Sequence, residues 1–142
     1  MTNQQKLSKL LSGKRILFLE NDYGLYHGLD WIEEWLIDNK VQYNCLYNLQ
    51  ELPLGYITEM LGWYDALIFQ SQFVYSKSRD LRDYIIKSRD KKLIIEAAGY
   101  KPHFEEKPRG IIHDVYTIRV QSDDARGEEM DVESWKIKRL KF

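Results

Sequence analysis

A chain of 142 residues is long enough to cover one small sheet with helices and too short for two such domains, and its 44% hydrophobic and 30% charged side chains are those of a globular protein. Its 21 Lys and Arg against 22 Asp and Glu leave a formal charge of -1, so no overall field attracts nucleic acid or an anionic membrane. No stretch reaches the roughly eighteen apolar residues that a membrane-spanning helix needs.

Residues 1–13 read as a polar, lysine-bearing N-terminal extension that lacks the apolar segment of a signal peptide. With a single cysteine, Cys45, no internal disulfide can form; set in an apolar stretch, it reads as a buried thiol in a reducing compartment, and a cytoplasmic location is expected. Lys14 to Glu20, KRILFLE, has the continuous apolar run of a strand buried on both faces of a parallel sheet. From Tyr23 to Lys40, the helical spacing of Leu25, Leu29, Ile32 and Leu36 predicts an amphipathic helix, with Trp31 and Trp35 as a second ridge one turn apart. Val41 to Tyr47 predicts a second strand, and a short helix is expected around Tyr56 to Leu61.

Tyr64 to Phe69, YDALIF, predicts the third strand, followed at once by Gln70, Ser71 and Gln72. A helix capped by Ser76 or Ser78 then runs to about Ser88, with Leu81, Tyr84 and Ile85 on its inner stripe. Lys92 to Ala98, KLIIEAA, is the fourth strand, ended by Gly99. This alternation of strand and helix predicts an α/β three-layer sandwich with a mostly parallel, flavodoxin-like (Rossmann-like) sheet over one domain, residues 1–142. Tyr100 to Gly110, with two of the three prolines, reads as a surface loop. The alternating stretches Asp114–Gln121 and Val132–Leu140, within 111–142, predict a C-terminal antiparallel hairpin around an acidic turn.

In an open parallel sheet, ligands bind beyond the carboxyl ends of the strands, where loops converge and helix N-termini present free N–H groups. That rule selects Glu20, Asn21 and Asp22 after the first strand, Gln70, Ser71 and Gln72 after the third, and Glu96 with Gly99 and Tyr100 after the fourth. Of these, Asn21, Gln70, Gln72, Glu96 and Tyr100 are candidate ligand-binding residues. Glu20, Asp22 and Glu96 form a candidate acidic cluster for Mg²⁺, since a hard cation takes carboxylate oxygens; the competing role for such carboxylates is helix capping or pairing with Lys and Arg. His27, beside Tyr26 in a glycine-flanked segment, is a candidate acid/base or metal ligand, against the commoner structural role of an isolated histidine. His103 and His113 fall in loop-like contexts without a pairing. ENDYGLYHG carries Gly24 and Gly28 at offsets that match no phosphate-binding glycine loop. Lys136, Lys138, Arg139 and Lys141, with Trp135 and Phe142, are the one local basic feature; on an alternating edge strand such charges are a solvent face that guards against edge pairing, so nucleic acid is not the expected partner.

RILFLENDYG resembles the opening strand and acidic pair of response-regulator receiver domains, and also the first motif of Toprim domains. Either family would place an acid at the end of YDALIF, where this chain has Gln70, Ser71 and Gln72, so the resemblance implies a site without phosphoacceptor or metal chemistry. Over Arg15 to Gly99, the order ILFLENDYGLYHG, YDALIF, LRDYIIKSRDKKLIIEAAG is similar to the class I glutamine-amidotransferase-like superfamily, including its trehalose-utilisation branch. That resemblance implies a flavodoxin-like fold. The nucleophilic cysteine of the enzymatic members is missing, because Cys45 has no glycine-flanked elbow and Ser71 sits between glutamines.

With no complete catalytic set, the sequence points to a non-catalytic ligand- or protein-binding domain. Its ten tyrosines and four tryptophans exceed what one small core hides, which suggests self-association as a homodimer or an interface with a protein partner. The alternative is a metal-dependent enzyme of phosphoester or hydrolase chemistry, with Glu20, Asp22 and Glu96 at the strand ends and His27 or Ser71 assisting.

Overall fold

The computed structural model describes residues 1–19, 30–46, 51–70, 83, 85, 87–98, 112–119 and 131–141. Its elements are α1 (Asn3–Leu11), β1 (Ile16–Leu19), α2 (Asp30–Asp38), β2 (Asn44–Leu46), α3 (Leu54–Leu61), β3 (Ala66–Gln70), β4 (Leu93–Ala98), β5 (Asp114–Arg119), a short 3-10 turn (Val132–Ser134) and β6 (Lys136–Arg139). One sheet holds all six strands in the order β2-β1-β3-β4-β5-β6. The first five run parallel and β6 is antiparallel to β5. The expected α/β architecture, mostly parallel with a terminal antiparallel pair, is therefore the one observed.

Side chains alternate between the two faces of the sheet, and both faces are buried, which is why the strands read as continuous apolar runs. Ile16, Phe18, Ala66, Ile68, Ile95 and Ile118 belong to one core layer; Leu17, Leu19, Leu67, Phe69, Ile94 and Val115 belong to the other. From β1 to β2 the chain steps toward one edge, and from β2 to β3 it steps back across β1. Crossovers of one hand must then place their helices on opposite faces. Accordingly, Trp31, Ile32, Trp35 and Leu36 of α2 pack in the first layer, while Ile57 and Leu61 of α3 pack in the second. Asp83, Ile85 and Lys87, in the connection from β3 to β4, have helical backbone, and Ile85 joins the second layer as expected from its place on the inner stripe.

Among the described residues α2 is the one crossover helix on the first face, too little to cover six strands. The segment expected to be a polar extension supplies the missing cover: α1 buries Leu7 and Leu11 against that face, each worth about 1.5–3 kcal/mol of removed apolar surface. Thr2 starts it with a capping box, its hydroxyl accepting from the Gln5 N–H while the Gln5 side chain accepts from the Thr2 N–H. Gly13, at φ +70°, makes the left-handed turn into β1 without a Cβ penalty.

The stretch expected to be one strand from Val132 to Leu140 begins instead with the 3-10 turn. The Asp131 carboxylate accepts from the Glu133 N–H, and the Ser134 hydroxyl donates to the Asp131 carbonyl, so local side-chain bonds outcompete strand pairing there. This turn latches α1. Glu133 accepts from the N–H groups of Asn3 (2.8 Å) and Gln4 (3.1 Å), and the Asn3 amide donates to the carbonyls of Val132 and Trp135. An acidic side chain at a helix N-terminus also suits the helix dipole. Trp135 turns inward and meets Trp31, ring centroids 4.7 Å apart at 60°. It is buried, and so is not available to stack on a nucleic-acid base.

Candidate functional site

Parallel pairing of β1, β3 and β4 puts Leu19, Gln70 and Ala98 on one edge of the sheet, the shared rim that the sequence called for. The strand order reverses between β1 and β3, since β2 lies on one side of β1 and every later strand on the other. Loops leaving two such strands part in opposite directions and open a crevice between them. Glu20, Asn21, Asp22 and His27 follow β1 in sequence, and Ser71 and Gln72 follow β3; these, with Tyr100, lie outside the described residues. Of Gln70, the backbone is described, and it closes β3 opposite Ala97.

Glu96 departs from its expected position. It lies within β4, two residues before the strand's end, and is fully buried in register with Phe69 on one side and Thr117 on the other. The row Leu19, Phe69, Glu96, Thr117 crosses the sheet, so two strand spacings, about 10 Å, separate Glu96 from the last residue of β1, with Phe69 between. Among the described residues, no three His, Cys, Asp or Glu side chains converge as a metal site. Cys45, expected to be buried, is half-exposed and sits at the centre of β2 opposite Phe18. That is a mid-strand position, not the sharp strand-to-helix turn that activates a nucleophile.

The amino ends of the strands hold a polar network that sequence reasoning did not anticipate. Lys92, just before β4, is buried; its ammonium donates to the Tyr64 carbonyl at 2.8 Å and its backbone N–H donates to His113 Nδ1 at 3.1 Å. Because Nδ1 accepts, the ring proton sits on Nε2, which donates to the Ile85 carbonyl at 2.6 Å. One imidazole thus ties the starts of β4 and β5 to the helix that precedes β4. Burial pushes its pKa below the usual histidine value; the Ile85 carbonyl works against that shift, the Lys92 ammonium adds to it and Asp114 opposes it.

Nearby, Arg15 grips Asp65 with both Nε and Nη2 at 3.2 and 3.1 Å, and its backbone N–H adds a third bond at 2.9 Å. These bonds, the Arg15 side chain first, hold the Asp65 carboxyl down at about 2. Lys91 and Arg139 both approach Asp114, at 3.5 and 3.1 Å. On the first face of the sheet, beside these groups, a groove of about 890 Å³ opens between α1 and strands β4 to β6. Leu10, Leu93, Tyr116 and Ile137 are its apolar lining, and Lys6, Lys9 and Lys14 stand along its α1 side. The signal for it was present in the sequence as Lys6 and Lys9 three residues apart, the spacing of neighbours on a helix face. Compared with protein-family models, curated proteins and solved structures, the chain matches none.

Proposed function

We propose that this chain is a non-catalytic binding domain of flavodoxin-like architecture that takes a small polar ligand in the crevice at the carboxyl ends of β1 and β3. The observation that carries this is the strand order, whose reversal falls between those two strands. The residue types that follow them support recognition over reaction: Asn21, Gln70 and Gln72 offer amides that both donate and accept, and Ser71 offers a hydroxyl. The position of Cys45 in mid-strand supports the same conclusion, since it leaves the chain's one thiol away from any strand-to-helix turn. Glu96 then contributes from inside the sheet, beneath the rim, as a buried group and not as a ligand contact.

Thermal-shift measurement against a panel of nucleotides, nucleotide sugars, sugars and amino acids tests the proposal. A ligand at a hundredfold excess over its dissociation constant stabilises the folded chain by about 2.7 kcal/mol, and Gln70→Ala with Gln72→Ala abolishes the shift. A hit whose shift survives both substitutions places the ligand elsewhere and refutes the crevice. Calorimetric titration with Mg²⁺ or Mn²⁺ tests the metal-dependent alternative: binding that Asp22→Asn removes would overturn the non-catalytic assignment.

Self-association belongs to the same proposal. Tyr56 of α3 is 47% exposed and Trp63, in the turn just after α3, 62%, whereas the edge strand β6 carries exposed Lys136, Lys138 and Arg139, which repel a second copy of the same edge. The α3 surface is therefore the assigned contact. Sedimentation equilibrium should show a concentration-dependent dimer that Trp63→Ser weakens; a strict monomer at high micromolar concentration refutes it.

A further inference from the structure

The groove at the amino ends of β4 and β5 has a geometric origin. Six strands set the outer strand axes roughly 24 Å apart at about 4.8 Å each, room for about three helices at 8–10 Å between axes. Among the described residues the first face carries two, α1 and α2. The 3-10 turn and Trp135 close one half of the remaining strip. Thus Ile118 of β5 is buried, while Tyr116, two residues nearer the amino end on the same face, is half-exposed. What stays open among the described residues is a short groove, blind at the Ile118 end and open where the strands begin, its floor about 7 Å long from Asp114 to Tyr116 at roughly 3.3 Å per strand residue and about 10 Å wide across the two strand spacings from β4 to β6.

Its two sides differ in chemistry. The floor is apolar, formed by Leu10, Leu93, Tyr116 and Ile137. At the α1 wall and the mouth, Lys6, Lys9 and Lys14 have no carboxylate within ion-pair distance among the described residues, and Lys91 shares Asp114 with Arg139, two cations on one anion. The volume is that of a small-molecule site. A bare anion would leave the floor wet, and a partner helix running past would meet the closed end.

We propose that this groove binds a medium-chain carboxylate, its acyl chain along the floor and its carboxylate among Lys9, Lys14 and Lys91 at the mouth. This site lies at the opposite end of the sheet from the β1/β3 crevice and stands or falls without it.

The test uses decanoate, titrated into the full chain below its micelle concentration and followed by calorimetry and amide chemical shifts. Acetate carries the head without the tail, decyl maltoside the tail without the charge; each should bind at least about tenfold more weakly than decanoate. Lys9→Glu combined with Lys14→Glu, both at exposed positions, should weaken decanoate by about tenfold or more, whereas Lys138→Glu, on the other face of β6, should leave it within about twofold. Thermal melts establish that the variants are folded. Absence of saturable decanoate binding overturns the proposal. So does decyl maltoside binding as tightly as decanoate, which is non-specific adsorption, or an equal loss in the Lys138→Glu protein. Association with anionic vesicles in the absence of decanoate binding also overturns it, by identifying a membrane-surface patch instead.

Discussion

Substituting His113 probes the network that holds the amino ends of the strands together. The ring is buried and bonded on both sides, so His113→Ala leaves the Lys92 N–H without a partner and the Ile85 carbonyl with the Ser88 N–H alone. The orphaned N–H costs about 1–3 kcal/mol and the lost bond to the Ile85 carbonyl about 1 kcal/mol, giving a loss of about 3 kcal/mol before any cavity contribution. His113→Asn puts a carbonyl oxygen near the position of Nδ1, keeps the Lys92 bond and loses only the Ile85 one, whose carbonyl still accepts from Ser88, so it should cost less than the alanine, about 1 kcal/mol. The pH dependence separates this account from simple packing. With its pKa lowered by burial, the folded ring takes up a proton at lower pH than the unfolded ring, whose value is near 6.5. Between those two values the unfolded state binds more protons, so the contribution of His113 is fully present above 6.5 and is lost as the pH falls toward the folded-state value, with a slope of up to about 1.4 kcal/mol per pH unit. Urea unfolding followed by tryptophan fluorescence between about pH 8 and pH 5 measures it, and the wild type minus the His113→Asn protein cancels the other two histidines. If that difference stays flat, or widens in favour of the wild type on acidification, the neutral Nε2–H tautomer and the logic built on it are wrong.

Leu7→Ala should destabilise by about 2–5 kcal/mol in chemical unfolding, because Leu7 is 2% exposed beneath α1; a loss below half a kcal/mol would mean that α1 does not hold the sheet face. Lys40 ends α2 at φ 55°, with the Val41 N–H bonded to the Leu36 carbonyl and the Lys40 N–H to that of Ile37. Lys40→Gly should therefore stabilise the fold by about 0.5–1 kcal/mol, seen as a higher unfolding midpoint, since a β-carbon is disfavoured in that conformation. Asp65→Asn should cost under about 1 kcal/mol near neutral pH, as the Arg15 pair is largely solvent-exposed. The Asp65 pKa is depressed from 3.8 to about 2, so its contribution is present above 3.8 and fades as the pH falls through about 2, which acid titration of the two proteins would reveal.

Periodicity and composition made most of the sheet readable in advance. ILFL, ALIF and LIIEAA are apolar along their length because both faces of a central parallel strand are covered, and a run of that kind in a chain of alternating helices has few other homes. The Lys-rich alternation of β6 marked an edge, and its exposed charges lie where that pattern put them. The helix at the N-terminus was legible too, as Thr2 followed by Gln5 and as leucines at 7, 10 and 11, yet its high polarity masked a one-sided stripe.

Other features depend on neighbours far away in sequence. Glu96 looks like a strand-end carboxylate until the register with Phe69 and Thr117 sets it inside the sheet. His113 has no local motif; its partners, Lys92 and Ile85, are 21 and 28 residues away. The groove lies on the face where, among the described residues, α2 is the one crossover helix and α1 with one tryptophan covers part of the rest. Hydrophobic period is a property of adjacent residues, so the chain alone determined which segments are strands and helices and which sides of them are apolar. How much of each sheet face remains open, and which charges meet there, follows from strand order and register, and those arise only when distant segments pack.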